Sequence, residues 1–191
     1  KRTLLSATIV FTSLSVCLGV PPNILFFFTD DQRHDTLGCT GHPIVETPTI
    51  DRLAAQGARF TNMIVTRSTC WASRTTILIG LTSRSSVKVD GSDQIKPEAL
   101  TELFPDLLRE AGYRSGFFGK WHGKMPKDFK PEEHFDEYER IFRRPYFKTM
   151  PDGSKRHETE LIADRGIKFL KSQRENRKPF CLNLRLNAGH A

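Results

Sequence analysis

Three kinds of pattern are missing from this sequence of 191 residues. No apolar run approaches the roughly 20 residues that cross a bilayer, so no stable membrane span is predicted. There is no internal repeat, heptad pattern or low-complexity tract, which excludes solenoids and coiled coils. Basic residues never stand more than two together and lie among acidic ones. The net charge of +7 therefore indicates a solvated surface, one that would also suit an anionic substrate, and no nucleic-acid partner is predicted.

Cysteine is scarce, and its count bears on where the protein works. The four are Cys17, Cys39, Cys70 and Cys181. A positive start, an apolar stretch and small residues before a Pro-Pro pair predict a signal peptide over residues 1–20, and hence export to the periplasm or the cell exterior. A buried strand or short helix is the alternative. Removal of the leader leaves three cysteines, an odd number that modification of Cys70 would explain; Cys39 and Cys181 are then either paired or free.

Residues 21–191 are expected to form part of one α/β domain. The hydrophobic content of 38% and charged content of 27% are typical of a globular protein. Strands alternate with helices, which predicts a mixed, mostly parallel sheet flanked by helices. Segments 82–99 and 123–156 are expected to be long surface loops. The predicted strands are 23–29, 58–65, 113–118 and 180–186, and the predicted helices are 47–57, 72–81, 100–111 and 157–172.

Side chains that can bind a ligand or take part in catalysis follow three of these strands. Ligand sites in parallel sheets lie at this carboxyl end of the strands. Asp30 and Asp31 follow the first strand, and two adjacent carboxylates suit a hard divalent cation, although such a pair is also common in turns. Lys120 and His122 follow the strand 113–118 and lie on one face of an extended segment. His190 follows the last strand.

Cys70 stands just before a predicted helix. Backbone N–H groups and the helix dipole favour an anion there, and Arg74 lies one turn further on. The residues alone leave two interpretations open, a thiolate nucleophile and a structural cysteine.

Two motifs resemble the sulfatase family, of the alkaline-phosphatase-like superfamily. Cys70-x-Ala72-Ser73-Arg74, followed by Thr-Thr-Ile-Leu, is similar to the signature at which sulfatases convert cysteine to formylglycine. The segment 113–122, ending in Gly-Lys-Trp-His, is similar to a second sulfatase motif. The resemblance runs from about residue 23 to residue 190. It implies the N-terminal portion of a sulfatase catalytic domain over residues 21–191.

The resemblance implies a sulfuric ester hydrolase acting on a sulfated carbohydrate, such as a sulfated polysaccharide. A maturation enzyme would convert Cys70 to formylglycine, whose hydrate supplies the nucleophilic oxygen. The implied metal ligands are Asp30, Asp31 and the modified Cys70, with Ca²⁺ as the expected ion and Mg²⁺ as the alternative. The implied catalytic residues are Cys70, Arg74, Lys120, His122 and His190, the last of which would protonate the leaving alcohol.

The sequence departs from the family pattern at three points. Ala72 replaces the commonest proline, which leaves the maturation route open, and Gly189 precedes His190 in place of proline. No Asp-Asn dipeptide occurs, although the later part of a sulfatase domain supplies such a metal pair. We therefore expect an incomplete metal site and weak or no activity from this chain alone. Two alternatives stay open: a phosphonate or phosphate monoester hydrolase of the same superfamily, and a non-catalytic glycan- or anion-binding remnant.

Overall fold

A computed structural model describes residues 19–187. All but the last two residues of the predicted leader, together with Cys17 and His190, lie outside the described residues. In chain order the strands are β1 (Ile24–Phe28), β2 (Arg114–Gly119), β3 (Glu137–Arg140), β4 (Phe147–Thr149), β5 (Lys155–His157) and β6 (Phe180–Arg185). The helices are α1 (Pro48–Gln56), α2 (Cys70–Ile79), α3 (Ser83–Ser86), α4 (Phe104–Glu110) and α5 (Glu158–Ser172). Short 3₁₀ turns occupy Gly38–Thr40, Pro97–Leu100 and Pro131–Glu133.

Within residues 19–187, four strands form the main sheet, in the order β1-β6-β2-β3. Every neighbouring pair in it is parallel, which confirms the predicted α/β class. β4 and β5 form a separate antiparallel hairpin. None of the helices within residues 19–187 is long and apolar enough to cross a membrane.

Helices pack on both faces of the inner strand β2. Consecutive residues of a strand point to opposite faces, and both faces of β2 carry large apolar side chains that need to be covered. Phe117 of β2 belongs to one apolar cluster, with Trp71, Ala72 and Leu78 of α2. Phe118, the next residue, belongs to the other cluster. That cluster includes Ile162 and Phe169 of α5 and Leu182 and Leu184 of β6.

Two predictions from local pattern were wrong. Residues 58–65 form no strand, and the apolar side chains of Phe60, Met63 and Ile64 are exposed. No strand among residues 19–187 pairs with this segment, and an unpaired strand has no hydrogen-bond ladder to hold it. Conversely, the predicted loop 123–156 contains β3, which joins the main sheet, and the β4–β5 hairpin. β3 was missed because its sequence Glu-Tyr-Glu-Arg is mostly charged, a composition typical of edge strands, and β3 is at the edge of the sheet among the described strands.

β1 also differs from the fully buried strand that its sequence predicts. Its side chains alternate between half-buried and exposed, and Leu25 and Phe27 are 53% and 57% exposed. β1 pairs with β6 along one edge only among the described strands. In addition, the face of β1 that carries Leu25 and Phe27 is apolar and open to solvent.

The register of the sheet brings the ends of its strands level. Phe28 and Gly119 both pair with Arg185, and Gly119 also pairs with Arg140. The ladder continues one residue past each end: Lys120 N–H donates to the Arg185 carbonyl at 2.7 Å, and Ile141 N–H donates to the Gly119 carbonyl at 3.0 Å. Whatever follows each strand is therefore delivered to one carboxyl edge.

Gly119 allows this close approach. Its φ of 119° is in the region that favours glycine, and a Cβ built on it would lie 2.0 Å from the Arg185 carbonyl oxygen. Only glycine fits between β2 and β6 here. Lys120 follows directly, so its position depends on that approach.

Candidate functional site

Five of the predicted site residues meet at the carboxyl edge of the sheet. Asp30 follows β1, while Lys120 and His122 follow β2. Cys70 and Arg74 come from the first turn and a half of α2. Cys70 is the first residue of α2, where the sequence placed it, at or just before the helix N-terminus.

The centre of the site is a buried carboxylate held by two cations. Asp30 is only 3% exposed. The Lys120 ammonium donates a hydrogen bond to its Oδ2, and Arg74 Nη2 lies 3.5 Å from its Oδ1. A buried carboxylate needs paired partners, and Lys120 and Arg74 provide them for Asp30.

Arg74 ties α2 to the strand ends. Its Nη2 donates to the Leu186 carbonyl at 3.2 Å and its Nη1 to the Lys120 carbonyl at 3.4 Å. Its guanidinium carbon lies 4.8 Å from the centre of the Phe28 ring. Burial lowers the pKa of Arg74, and the charge of Asp30 opposes that change. The arginine therefore acts as a cross-link between the helix that carries Cys70 and three strands.

Cys70 and His122 form the second contact of the site. The Cys70 Sγ lies 3.2 Å from His122 Nδ1, within hydrogen-bond reach. Burial lowers the pKa of His122, and the positive charges of Lys120 and Arg74 lower it further, while Asp30 opposes them. The imidazole is therefore neutral at pH 7 and able to accept a proton from the group at position 70.

The described residues do not assemble a complete metal site. Among residues 19–187 there is no group of three or more His, Cys, Asp or Glu side chains that could hold a metal ion. The carboxylate of Asp30 contacts Lys120 and Arg74 instead. Asp31 is exposed and has a left-handed backbone, with φ of 48°. The donor set Asp30, Asp31 and Cys70 therefore does not by itself fit a divalent ion in this part of the chain.

Sequence reasoning missed a buried arginine beneath the site. Arg185, in β6, is 3% exposed, and its guanidinium carbon lies 5.4, 5.6 and 5.5 Å from the ring centres of Phe26, Phe28 and Phe117. Burial and the nearby charge of Arg74 lower its pKa to about 9. A single charge inside the apolar run 180–186 was the signal available in the sequence.

The cysteines within residues 19–187 carry no disulfide. Cys39, Cys70 and Cys181 are free thiols, so the open question of a Cys39–Cys181 bridge is answered against the bridge in this structure. Cys181 is buried in β6, and burial raises the pKa of its thiol. Cys70, by contrast, is only partly buried and stands beside an imidazole.

The fold and the site together define an α/β domain with a candidate nucleophile and base at the carboxyl edge of a parallel sheet. The sulfatase family model matches residues 22–191. The chain is 33% identical over 177 residues to an N-acetylglucosamine-6-O-sulfatase of Bacteroides thetaiotaomicron, covering 88% of this chain and 31% of that protein. It is 29% identical to the N-acetylgalactosamine-6-sulfatase of Canis lupus familiaris, covering 90% of this chain and 40% of that protein.

A solved structure agrees with these matches. It shows a protein in complex with its substrate D-glucosamine-2-N,6-O-disulfate, with a TM-score of 0.70 and 30% identity over 88% of this chain and 35% of that one. This chain belongs to the sulfatase family and has the alkaline-phosphatase-like fold. It spans about a third of the length of the curated relatives that it matches. Sulfatases generally use a divalent metal and a formylglycine.

Proposed function

We propose that this chain is part of a sulfuric ester hydrolase that cleaves a sulfate ester of a sulfated carbohydrate. The observation that carries the proposal is the contact between Cys70 and His122, 3.2 Å apart, beside the ion-paired cluster of Asp30, Lys120 and Arg74. It joins a modifiable side chain, a neutral base and cations that can face an anion.

Position 70 fits the modification that the family uses. Its side chain is partly exposed at a helix N-terminus and forms no disulfide. A hydrated formylglycine there would supply a nucleophilic oxygen and a second hydroxyl from which sulfate can be eliminated. Backbone N–H groups at the start of α2 favour the negative charge that develops at this position.

The other residues of the site then have distinct roles. His122, neutral because its pKa is lowered, is placed to accept a proton from the group at position 70. Lys120 and Arg74 place two positive charges around the Asp30 carboxylate, and cations at this position favour a sulfate group. His190 remains a proposal for the proton donor to the leaving alcohol. No step is assigned to a metal, because the described donor set is incomplete.

A 6-sulfated amino sugar is the substrate class that we propose. Two relatives are named for the removal of 6-sulfate from N-acetylglucosamine and N-acetylgalactosamine. A third protein binds a 6-sulfated glucosamine as its substrate. The net charge of +7 is compatible with such an anion.

Mass spectrometry of the tryptic peptide 68–74, from protein made in the natural host, tests the proposal first. Conversion of Cys70 to formylglycine should lower the peptide mass by about 18 Da. The peptide that contains Cys39, another free and partly buried cysteine, is the internal control and should be unchanged.

Sulfate release then tests the reaction itself. In the complete hydrolase of which this chain is part, glucosamine 6-sulfate should be hydrolysed in preference to glucosamine 6-phosphate, and Cys70→Ala should abolish the release. An unmodified Cys70 with retained binding of the sugar would instead identify a non-catalytic glycan-binding protein. Faster hydrolysis of the phosphate would favour the phosphomonoesterase alternative.

A further inference from the structure

A second cationic surface adjoins the candidate site. A cavity of about 260 Å³ is lined by Lys120, Trp121 and His122 on one side and by Arg140, Phe142 and Arg143 on the other. None of the described residues that line it is an acid. The cavity therefore continues the positive charge of the site away from Cys70.

The sheet register fixes the position of the second wall. Arg140 is the last residue of β3 and pairs with Gly119, the residue before Lys120. Ile141 N–H donates to the Gly119 carbonyl at 3.0 Å. Buried Asn187 donates through Nδ2 to the Ile141 carbonyl at 3.3 Å and to Glu158 Oε2 at 3.0 Å. The segment is thus held from two sides, which makes it a preorganised surface rather than a free loop.

The side chains on this segment favour an anionic ligand. The Arg140 guanidinium carbon lies 4.4 Å from the centre of the Phe142 ring, so the aromatic ring supports the cation. Phe142 is 58% exposed, and Arg140 is exposed as well. Arg140 and His122 line the same cavity, which places this cation beside the site.

We infer that Arg140 and Arg143 form an anion subsite that takes a second acidic group of the substrate, beside the sulfate ester held near Cys70. The inference rests on the proposed function and narrows it: the substrate is a sugar that carries at least two anionic groups. Arginine is suited to this role because its planar guanidinium can donate two parallel hydrogen bonds to a sulfate or carboxylate.

Binding by calorimetry tests the subsite without requiring turnover. The probes are glucosamine 6-sulfate and glucosamine 2-N,6-O-disulfate, titrated into protein with an unmodified Cys70 at fixed ionic strength. One additional charge-assisted contact corresponds to about a tenfold change in Kd. We therefore expect the disulfate to bind the unsubstituted chain about ten times more tightly than the monosulfate.

The double variant Arg140→Gln/Arg143→Gln should bring the two Kd values within about twofold of each other. Arg144→Gln is the matched control, because it removes the same charge from a neighbouring exposed residue that does not line the cavity. It should keep the preference. Unchanged thermal unfolding would show that the double variant is folded.

An equal ratio of Kd values in all three proteins, or no binding of either sugar at millimolar concentration, would overturn the inference. The outcome is separable from that of the proposed function. A preference for the disulfate with no formylglycine at position 70 would support the subsite and refute the hydrolase. Formylglycine at position 70 and sulfate release, without a preference for the disulfate, would support the hydrolase and refute the subsite.

Discussion

Replacement of Asp30 by asparagine should reduce the free energy of unfolding by about 3–5 kcal/mol, the usual cost of removing one partner of a buried ion pair. Asn has the shape of Asp, so the change leaves no cavity and isolates the effect of charge. The Arg74 side chain is 3% exposed and that of Lys120 is 12% exposed. Both cations would remain largely shielded from water, but the carboxylate that now contacts them would be replaced by an uncharged amide.

A surface ion pair of the same chemistry provides the control. Arg33 and Asp35 approach to 2.6 Å, closer than the 3.5 Å between Arg74 and Asp30, but both side chains are largely exposed. Water solvates them equally well when they are apart. Asp35→Asn should therefore change the free energy of unfolding only slightly, although its contact with arginine is shorter than that between Arg74 and Asp30.

The assay is urea unfolding followed by tryptophan fluorescence, with a chelator present to exclude metal binding. Trp71 lies in α2 and is 8% exposed, so its emission reports loss of the packing around the site. Each variant is measured at low salt and at 1 M NaCl, because salt screens exposed pairs far more than buried ones. The loss in Asp30→Asn should persist at high salt.

A double variant tests the assignment of that loss to unpaired charge. Lys120→Met in the Asp30→Asn background removes one uncompensated cation. The double variant should therefore lose less unfolding free energy than the sum of the losses in the two single variants, by about 0.5–3 kcal/mol. The reasoning fails if Asp30→Asn is no worse than Asp35→Asn, or if 1 M NaCl abolishes its effect.

Two further predictions follow from the same edge of the sheet. Gly119→Ala should destabilise the fold more than Gly153→Ala does in urea unfolding: both positions have positive φ, but only at Gly119 would the new Cβ collide with backbone, 2.0 Å from a carbonyl oxygen of β6. An NMR titration should place the pKa of His122 below its ordinary value of 6.5, and Lys120→Met should raise it. Because folding lowers this pKa, the unfolded chain binds more proton, so the contribution of His122 to stability is full above pH 6.5 and falls as the pH drops from there toward the folded pKa. A folded pKa at or above 6.5, or equal losses in the two glycine variants, would contradict these expectations.

Local pattern was sufficient for the parts of the fold that are made by local forces. The helix over Cys70–Ile79 and the strands that end before Asp30 and Lys120 were predicted within one or two residues, because apolar periodicity and glycine stops act over a few residues. Placement of the candidate nucleophile at a helix N-terminus needed nothing more. Convergence of Asp30, Lys120 and His122 followed from the rule that parallel strands present their carboxyl ends together.

Local pattern could not predict which strands pair with each other or the register in which they pair. β3 is charged and short, and only its pairing with β2 makes it a strand; the segment 58–65 is apolar and long enough, yet it lacks a partner among the described strands. The same limit applies to function. Arg140 reaches the cavity because it pairs with Gly119, and Arg185 is buried because its side of β6 faces Phe26, Phe28 and Phe117. In each case the sequence neighbours of the arginine give no indication of what it contacts.

This difference between local and long-range determination explains why the site carries more positive charge than its motifs indicate. The motifs supply two cations, Arg74 and Lys120, against two carboxylates, Asp30 and Asp31, while His122 is neutral, so the charges of the motifs balance. The fold adds Arg185 below the site and Arg140 beside it, both from strands outside those motifs. Arg185 is buried and therefore out of reach of a sugar, whereas Arg140 is exposed and lines the cavity. The first therefore raises the local potential, and the second is the one that a second anionic group of a substrate can reach.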